Sequence, residues 1–253
     1  MQLDREAFLR RYEAGQPFVL RTTMVGDLVT PVAAFLKLRA ALPGPAFLLE
    51  SVEGGAVRGR YSMIGLQPDL VWRCRDGKAE IARGALTRAH FAAEEKRPLD
   101  SLRALIAESA IDLEADLPPM AAGLFGYLGY DMVREMERLG PPNHDQLGVP
   151  DAILVRPTIM VIFDAVRDEI SFVAPVRPNP GADGGQAFEQ TTDRLDAVMH
   201  AVESAWTVEA APDPAGMEPP FPVSNMSPAQ YEAMVARAKE YILAGDIFQV
   251  VLS

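Results

Sequence analysis

The 253 residues, 49% of them hydrophobic and 8% aromatic, suffice for a sizeable core in one large domain or two ordinary ones. Thirty-five acidic against 24 basic residues leave a formal charge of -11, which repels polyphosphate and anionic lipid and argues against nucleic acid and membrane surfaces as partners. No apolar run of about 18 residues occurs, the first fifteen residues mix both charge signs where a secretory signal needs an apolar core, and one cysteine excludes an internal disulfide; a globular protein of the cytoplasm is expected.

FVLRTTMV (18–25) reads as a strand, and Thr30-Pro31 supplies an N-cap with proline at the first helical position for a helix through about Leu42. AFLLES (46–51), GRYSMIG (59–65), DLVWRC (69–74) and KAEIA (78–82) follow as short strands with turns at Glu53-Gly54-Gly55 and Asp76-Gly77, which predicts a meander of antiparallel hairpins. Cys74 falls inside one of these strands, where a small buried thiol is expected rather than a nucleophile. A helix is predicted over 100–109, its apolar face carried by Leu102, Leu105 and Ile106, and PTIMVIF (157–163) and EISFVA (169–174) are strands around a turn from Asp164 to Asp168.

Beyond Ala174 the texture changes. PVRPNPGADGG is rich in breakers, and Leu195, Val198, Met199, Val202 and Trp206 then keep helical spacing on one face. Five prolines within 209–222 forbid a regular element and mark a linker or exposed loop. A new start follows: Ser227-Pro228-Ala229-Gln230 combines an N-cap, proline at the first helical position and a capping-box glutamine, and Gly245 stops that helix. Ile247 to Leu252 then reads as a buried strand. Such a strand needs neighbours to pair its backbone groups, so the pattern predicts a chain cut short of its natural partners.

Three stretches carry candidate chemistry. GLFGYLGYD (123–131) spaces its glycines every third residue, unlike a phosphate-binding loop; it predicts close backbone packing, with Gly123, Gly126 and Gly129 admitting Tyr127 and Tyr130 and with Asp131 capping a short helix DMVREMERL. In LLES (48–51) an apolar strand ends in a carboxylate and a hydroxyl, either a solvated strand end or a small-ligand site. In the second case Glu50 pairs with an ammonium, Ser51 donates and accepts, and Leu48, Leu49 and Met63 form an apolar wall. Gln249 shares a strand face with Ile247 and Val251, so that face is either wet or its amide is bonded to a neighbour or substrate. His90, His144 and His200 have no metal-ligand spacing.

LLESVEGGAVRGRYSMIGLQP, GLFGYLGYDMVREMERL and SPAQYEAMVARAKEYILAGDIFQVVLS, in this order, resemble component I of anthranilate synthase, one of the chorismate-utilising enzymes. The resemblance spans nearly the whole chain. It implies an α+β fold, an antiparallel β-sandwich with flanking helices, cut off early in its chorismate-binding domain. Residues 1–175 correspond to an N-terminal regulatory domain that binds tryptophan, 176–223 to a helix and proline-rich connection, and 224–253 to the start of the catalytic domain.

The resemblance also implies the chemistry. Tryptophan, the end product, is held near Ser51, Glu50 and Leu49, with Arg60, Tyr61 and Ser62 as neighbours. Chorismate is aminated with ammonia drawn from glutamine by a separate amidotransferase subunit (component II), in a hetero-oligomer. Mg²⁺ clamps the substrate, through ligands expected beyond residue 253, so this chain by itself is expected to be inactive. Gln249 stands where water-adding relatives carry a basic lysine; a neutral amide suits a member that orients ammonia. Two rival readings are component I of aminodeoxychorismate synthase and a non-catalytic tryptophan-binding module.

Overall fold

The computed structural model describes residues 4–53, 57–84, 90–141, 144–145, 147–205 and 221–252, and the chain divides into two compact units, 1–206 and 207–253. The first unit holds two five-stranded antiparallel sheets with helices outside, as expected of the α+β class. One sheet contains β1 (Phe18–Val25), β2 (Ala46–Glu53), β3 (Val57–Leu66), β9 (Ile159–Asp164) and β10 (Glu169–Val176), in the order β1-β10-β9-β3-β2. The other contains β4 (Leu70–Arg75), β5 (Lys78–Arg83), β6 (Ala92–Ala93), β7 (Phe125–Leu128) and β8 (Ala152–Arg156), in the order β6-β5-β4-β8-β7.

The predicted meander is corrected by this order. β2 pairs with β3 and β4 with β5, but β3 and β4 lie in different sheets, and the neighbour of β3 is β9, about a hundred residues away. Sequence adjacency favours hairpins only until a larger apolar surface is on offer. β9 supplies it, because IMVIF alternates between two cores: Ile159, Val161 and Phe163 face one side, Met160 and Ile162 the other.

The first of those cores is roofed by α1 (Arg5–Glu13), α2 (Pro31–Ala41) and α4 (Gly184–Glu203), which bring Phe8, Leu38 and Val198 down on the sheet. α1 escaped the sequence reading. Its signal is an N-cap, Asp4, whose Oδ1 accepts from Ala7 N at 2.7 Å, followed by apolar Phe8 and Tyr12 at four-residue spacing. α2 begins as expected, with Thr30 Oγ1 accepting from Ala33 N at 3.2 Å. The opposite face of the same sheet is covered by a strap that includes Leu113, Leu117 and Ala121.

The second sheet packs one face on α3 (Pro98–Ser109), which starts two residues earlier than predicted because Pro98 takes the first helical position. Trp72, fully buried, donates from Nε1 to Ser101 Oγ at 3.0 Å, and Cys74 lies buried beside it as expected. The glycine-rich stretch forms β7, and a β-carbon on Gly126 would collide with Ile153 O of β8. Close backbone packing is therefore right, but the neighbour admitted is strand backbone and not the tyrosines; Tyr130 is 89% exposed. Asp131 caps nothing. It falls within a 3-10 turn, Tyr130–Glu135, that starts after Gly129, and its Oδ1 accepts from Arg134 Nε at 2.9 Å.

The second unit carries α5 (Pro228–Ala244), opened by the expected capping box: Gln230 N donates to Ser227 Oγ at 3.3 Å and Ser227 N to Gln230 Oε1 at 2.8 Å. Gly245 closes it at φ 81°, in the left-handed region. The strand predicted from Ile247 does not form. Among the described residues nothing pairs with it, Phe248 is 94% and Val251 82% exposed, and an apolar pattern without a ladder partner leaves the backbone N–H and C=O groups to solvent and makes no sheet. Trp206 and most of the proline-rich stretch lie outside the described residues.

Candidate functional site

LLES sits at a break in the ladder between β2 and β3. Glu50 pairs with Ser62 and Val52 with Arg58, so Ser51 alone stands opposite three residues, Gly59, Arg60 and Tyr61. Such a bulge re-aims side chains that strict alternation would send to opposite faces. Here it lets Glu50 and Ser51 line one cleft together with Gly59, Arg60 and Ser62. Gly59 is required: Ser51 Oγ occupies the space that a β-carbon on Gly59 would need, and Ser51 C lies 3.0 Å from it.

The cleft, about 570 Å³ in volume, is completed by the loop before α2 and its first residues, among them Leu28, Val29, Pro31 and Val32, by Phe163, and by the β9–β10 turn. It therefore combines the carboxylates of Glu50, Asp27 and Asp168, none of them in an ion pair among the described residues, with hydroxyls and an apolar side. Such a mixture suits a small amphipathic ligand.

Its charge is organised by Asp164. This carboxylate, buried at the end of β9, accepts from Arg60 Nε at 3.2 Å through either oxygen and from Arg60 Nη2 at 2.8 Å, and its Oδ1 also accepts from the backbone N–H of Val166 at 3.0 Å and Arg167 at 3.3 Å. The Arg60 hydrogen bond, helped by the two turn amides, holds the Asp164 carboxyl below the usual carboxylate range despite burial, and the same bond raises the guanidinium of Arg60. Arg60 further stacks over the ring of Tyr61 at 4.7 Å.

Of the residues named from the sequence, Glu50, Ser51, Arg60 and Ser62 meet in this cleft. Leu49 and Tyr61 do not: alternation sends them to the other face of the sheet, where Leu49 borders an apolar groove of about 330 Å³ with Phe47, Phe125 and Tyr127, and Tyr61 packs among the strap residues. The expected apolar wall is corrected likewise, for Met63 packs on the strap side and Leu48 in the helix-covered core. Gln249 belongs to the second unit, where its side chain is exposed on irregular backbone.

Asp164 and the stretch 26–32 are the parts that sequence reasoning missed. An aspartate ending an apolar strand just before a turn is a local signal of turn capping, but its pairing with an arginine 104 positions away is not local. Cys74 takes no part, since burial pushes its thiol up to about 11. Among the described residues no three His, Cys, Asp or Glu side chains converge where a metal ion could sit, so Mg²⁺ finds no fitting site there. None of their helices is long and apolar enough to cross a membrane.

The sequence profile described as chorismate binding enzyme matches residues 44–253. Anthranilate synthase component 1 of Cereibacter sphaeroides is 44% identical over 249 residues, covering 98% of this chain and 49% of that protein. Anthranilate synthase component 1 of Thermus thermophilus is 37% identical over 235 residues, covering 92% and 46%. The chain thus spans about half the length of the curated relatives it matches. In fold it resembles the crystal structure of anthranilate synthase component I from Streptococcus pneumoniae, with a TM-score of 0.55 and 20% identity over 88% of this chain and 45% of that one.

Proposed function

The chain belongs to the chorismate-binding enzyme family, and on that premise we propose that it serves in an anthranilate synthase component 1 whose effector, L-tryptophan, binds in the cleft at Glu50 and Ser51. The reaction we assign adds ammonia to C2 of chorismate with loss of the C4 hydroxyl as water, then expels pyruvate to leave anthranilate. The identity of 44% across nearly the whole chain to a protein bearing that name supports this reading.

Within the cleft, the Glu50 carboxylate takes the tryptophan ammonium, Ser51 and Ser62 supply hydroxyl contacts, and Arg60 takes the carboxylate; Leu49 and Tyr61 back the same strands from the opposite face. The single observation that carries the effector site is the bulge, which turns Glu50 and Ser51 into one cavity beside Arg60. Feedback inhibition follows if tryptophan binds one conformation of the protein more tightly than another, since equal affinity shifts nothing.

Residues 1–175 form the effector-binding region and the chain from 224 contributes to the chorismate-binding one. Gln249 orients the ammonia, its neutral amide having no proton to remove from a nucleophile that already presents a lone pair. A glutamine amidotransferase subunit delivers that ammonia in a cytoplasmic hetero-oligomer. The family in general uses Mg²⁺, and no step is routed through it here because the described residues offer it no site. Assaying the natural gene product that carries this sequence, with chorismate, ammonia and Mg²⁺, tests the activity: fluorescent anthranilate is expected, and accumulation of an unaromatised amino product without it would refute the assignment.

A further inference from the structure

Arg60 is committed on one edge only. A guanidinium presents two forks of paired N–H donors, the Nε–Nη2 side and the Nη1–Nη2 end, each matched to one carboxylate. Asp164 occupies the first through Nε and Nη2, and among the described residues Nη1 has no partner. The side chain of Arg60 is 45% exposed and lines the cleft, while that of Asp164 is 8% exposed and is itself pinned by the amides of Val166 and Arg167. Rigidity therefore runs from the β9–β10 turn to Asp164, from there to Arg60, and stops at an unfilled fork. Glu50, a carboxylate of the same cleft with no ion-pair partner among the described residues, stands beside the bulge on the facing strand and would receive a cation.

We propose that Asp164 is a positioning residue: by holding the Nε–Nη2 edge of Arg60 it presents the Nη1–Nη2 edge to the carboxylate of an α-amino acid in the cleft, and so sets selectivity for ligands that carry one. This deepens the reading of the cleft as an amino-acid site and rests on it. An arginine swinging freely would lose rotamer entropy on capturing the ligand; one already clamped has lost it on folding. The second carboxylate is also tolerable electrostatically, because Glu50, which lines the same cleft, meets the ammonium and the zwitterion adds no net charge.

The test compares equilibrium binding of L-tryptophan, indole-3-propionate, which lacks the ammonium, and tryptamine, which lacks the carboxylate, to the purified protein and to Asp164→Asn. Asparagine keeps an oxygen for the turn amides but removes the charge that clamps Arg60. The expected result is a loss of about ten- to a hundredfold for tryptophan and indole-3-propionate, the worth of a hydrogen bond to a charged partner, with tryptamine changed by less than about twofold. Arg60→Lys, which keeps the charge but not the fork, is expected to give the same selective loss and serves if Asp164→Asn does not fold. Equal loss of all three ligands would reveal a merely structural aspartate and overturn the proposal, as would unchanged tryptophan binding in either variant. Wild-type protein that binds none of the three would overturn the amino-acid reading itself.

Discussion

Ser51 Oγ rests in the space that glycine leaves open at position 59, so the two residues interlock across the bulge between β2 and β3. Gly59→Ala must push the serine hydroxyl, its β-carbon and its backbone carbonyl carbon, which lies 3.0 Å from the new atom. Overpacking of this kind costs about 1 to 3 kcal/mol. Urea unfolding should record that loss, and tryptophan binding should weaken with it. Adding Ser51→Gly should restore part of the stability and none of the binding; a Gly59→Ala protein as stable as wild type would mean that the bulge is not shaped as described.

Arg156 anchors the second sheet to α3. Its Nε and Nη2 donate to the two oxygens of Asp69 at 2.8 and 3.0 Å, and Nη1 reaches Glu108 at 3.2 Å and Ser109 Oγ at 3.3 Å. Asp69→Ala leaves a cation whose side chain is 10% exposed with two of its four hydrogen bonds gone. Removing one partner of a buried pair costs about 3 to 5 kcal/mol, and because the Asp69 side chain is 37% exposed and Glu108 remains, a loss of about 2 kcal/mol is expected by denaturant titration.

Most strands were legible in the sequence because β1, β2, β9 and β10 carry apolar alternation or continuous apolar runs bounded by turn residues. Their partition into two sheets was not, since pairing β3 with β9 is decided by which surfaces can be buried together and not by any local signal. The same limit applied to the site. LLES advertised itself through a carboxylate and a hydroxyl ending an apolar run, whereas Asp164 looked like any turn residue. Conversely, Ile247–Leu252 had the composition of a strand and lacks one, because pattern supplies a face but never a partner.

Acid should loosen the first unit through two carboxyls held below their ordinary range, Asp164 by the hydrogen bond from Arg60 and Glu108 by that from Arg83. For a depressed folded pKa the stabilisation is fully present above the unfolded value, about 4, and is lost as pH falls through the lower folded value. Thermal unfolding followed between pH 7 and pH 2.5 should show little change above about 5 and a steep decline below about 4. Charge-removed Asp164→Asn should flatten part of that decline; an identical profile would show that the ion pair adds nothing.

The thiol of Cys74 should be inert in the native protein. Burial raises its pKa to about 11, so very little thiolate exists at pH 8. Iodoacetamide at that pH should leave the folded chain unmodified and alkylate it once urea unfolds it. Rapid native labelling would contradict the buried placement beside Trp72.

The most direct test of the effector cleft is calorimetric titration of L-tryptophan into the wild-type protein and into Ser51→Phe, whose ring would fill the space beside Glu50. Saturable one-site binding by wild type, lost or weakened at least about tenfold in the variant, is the predicted result, and in the natural gene product the same substitution should relieve tryptophan inhibition while sparing turnover. Equal affinity in the two proteins, or no binding to wild type, would contradict the account.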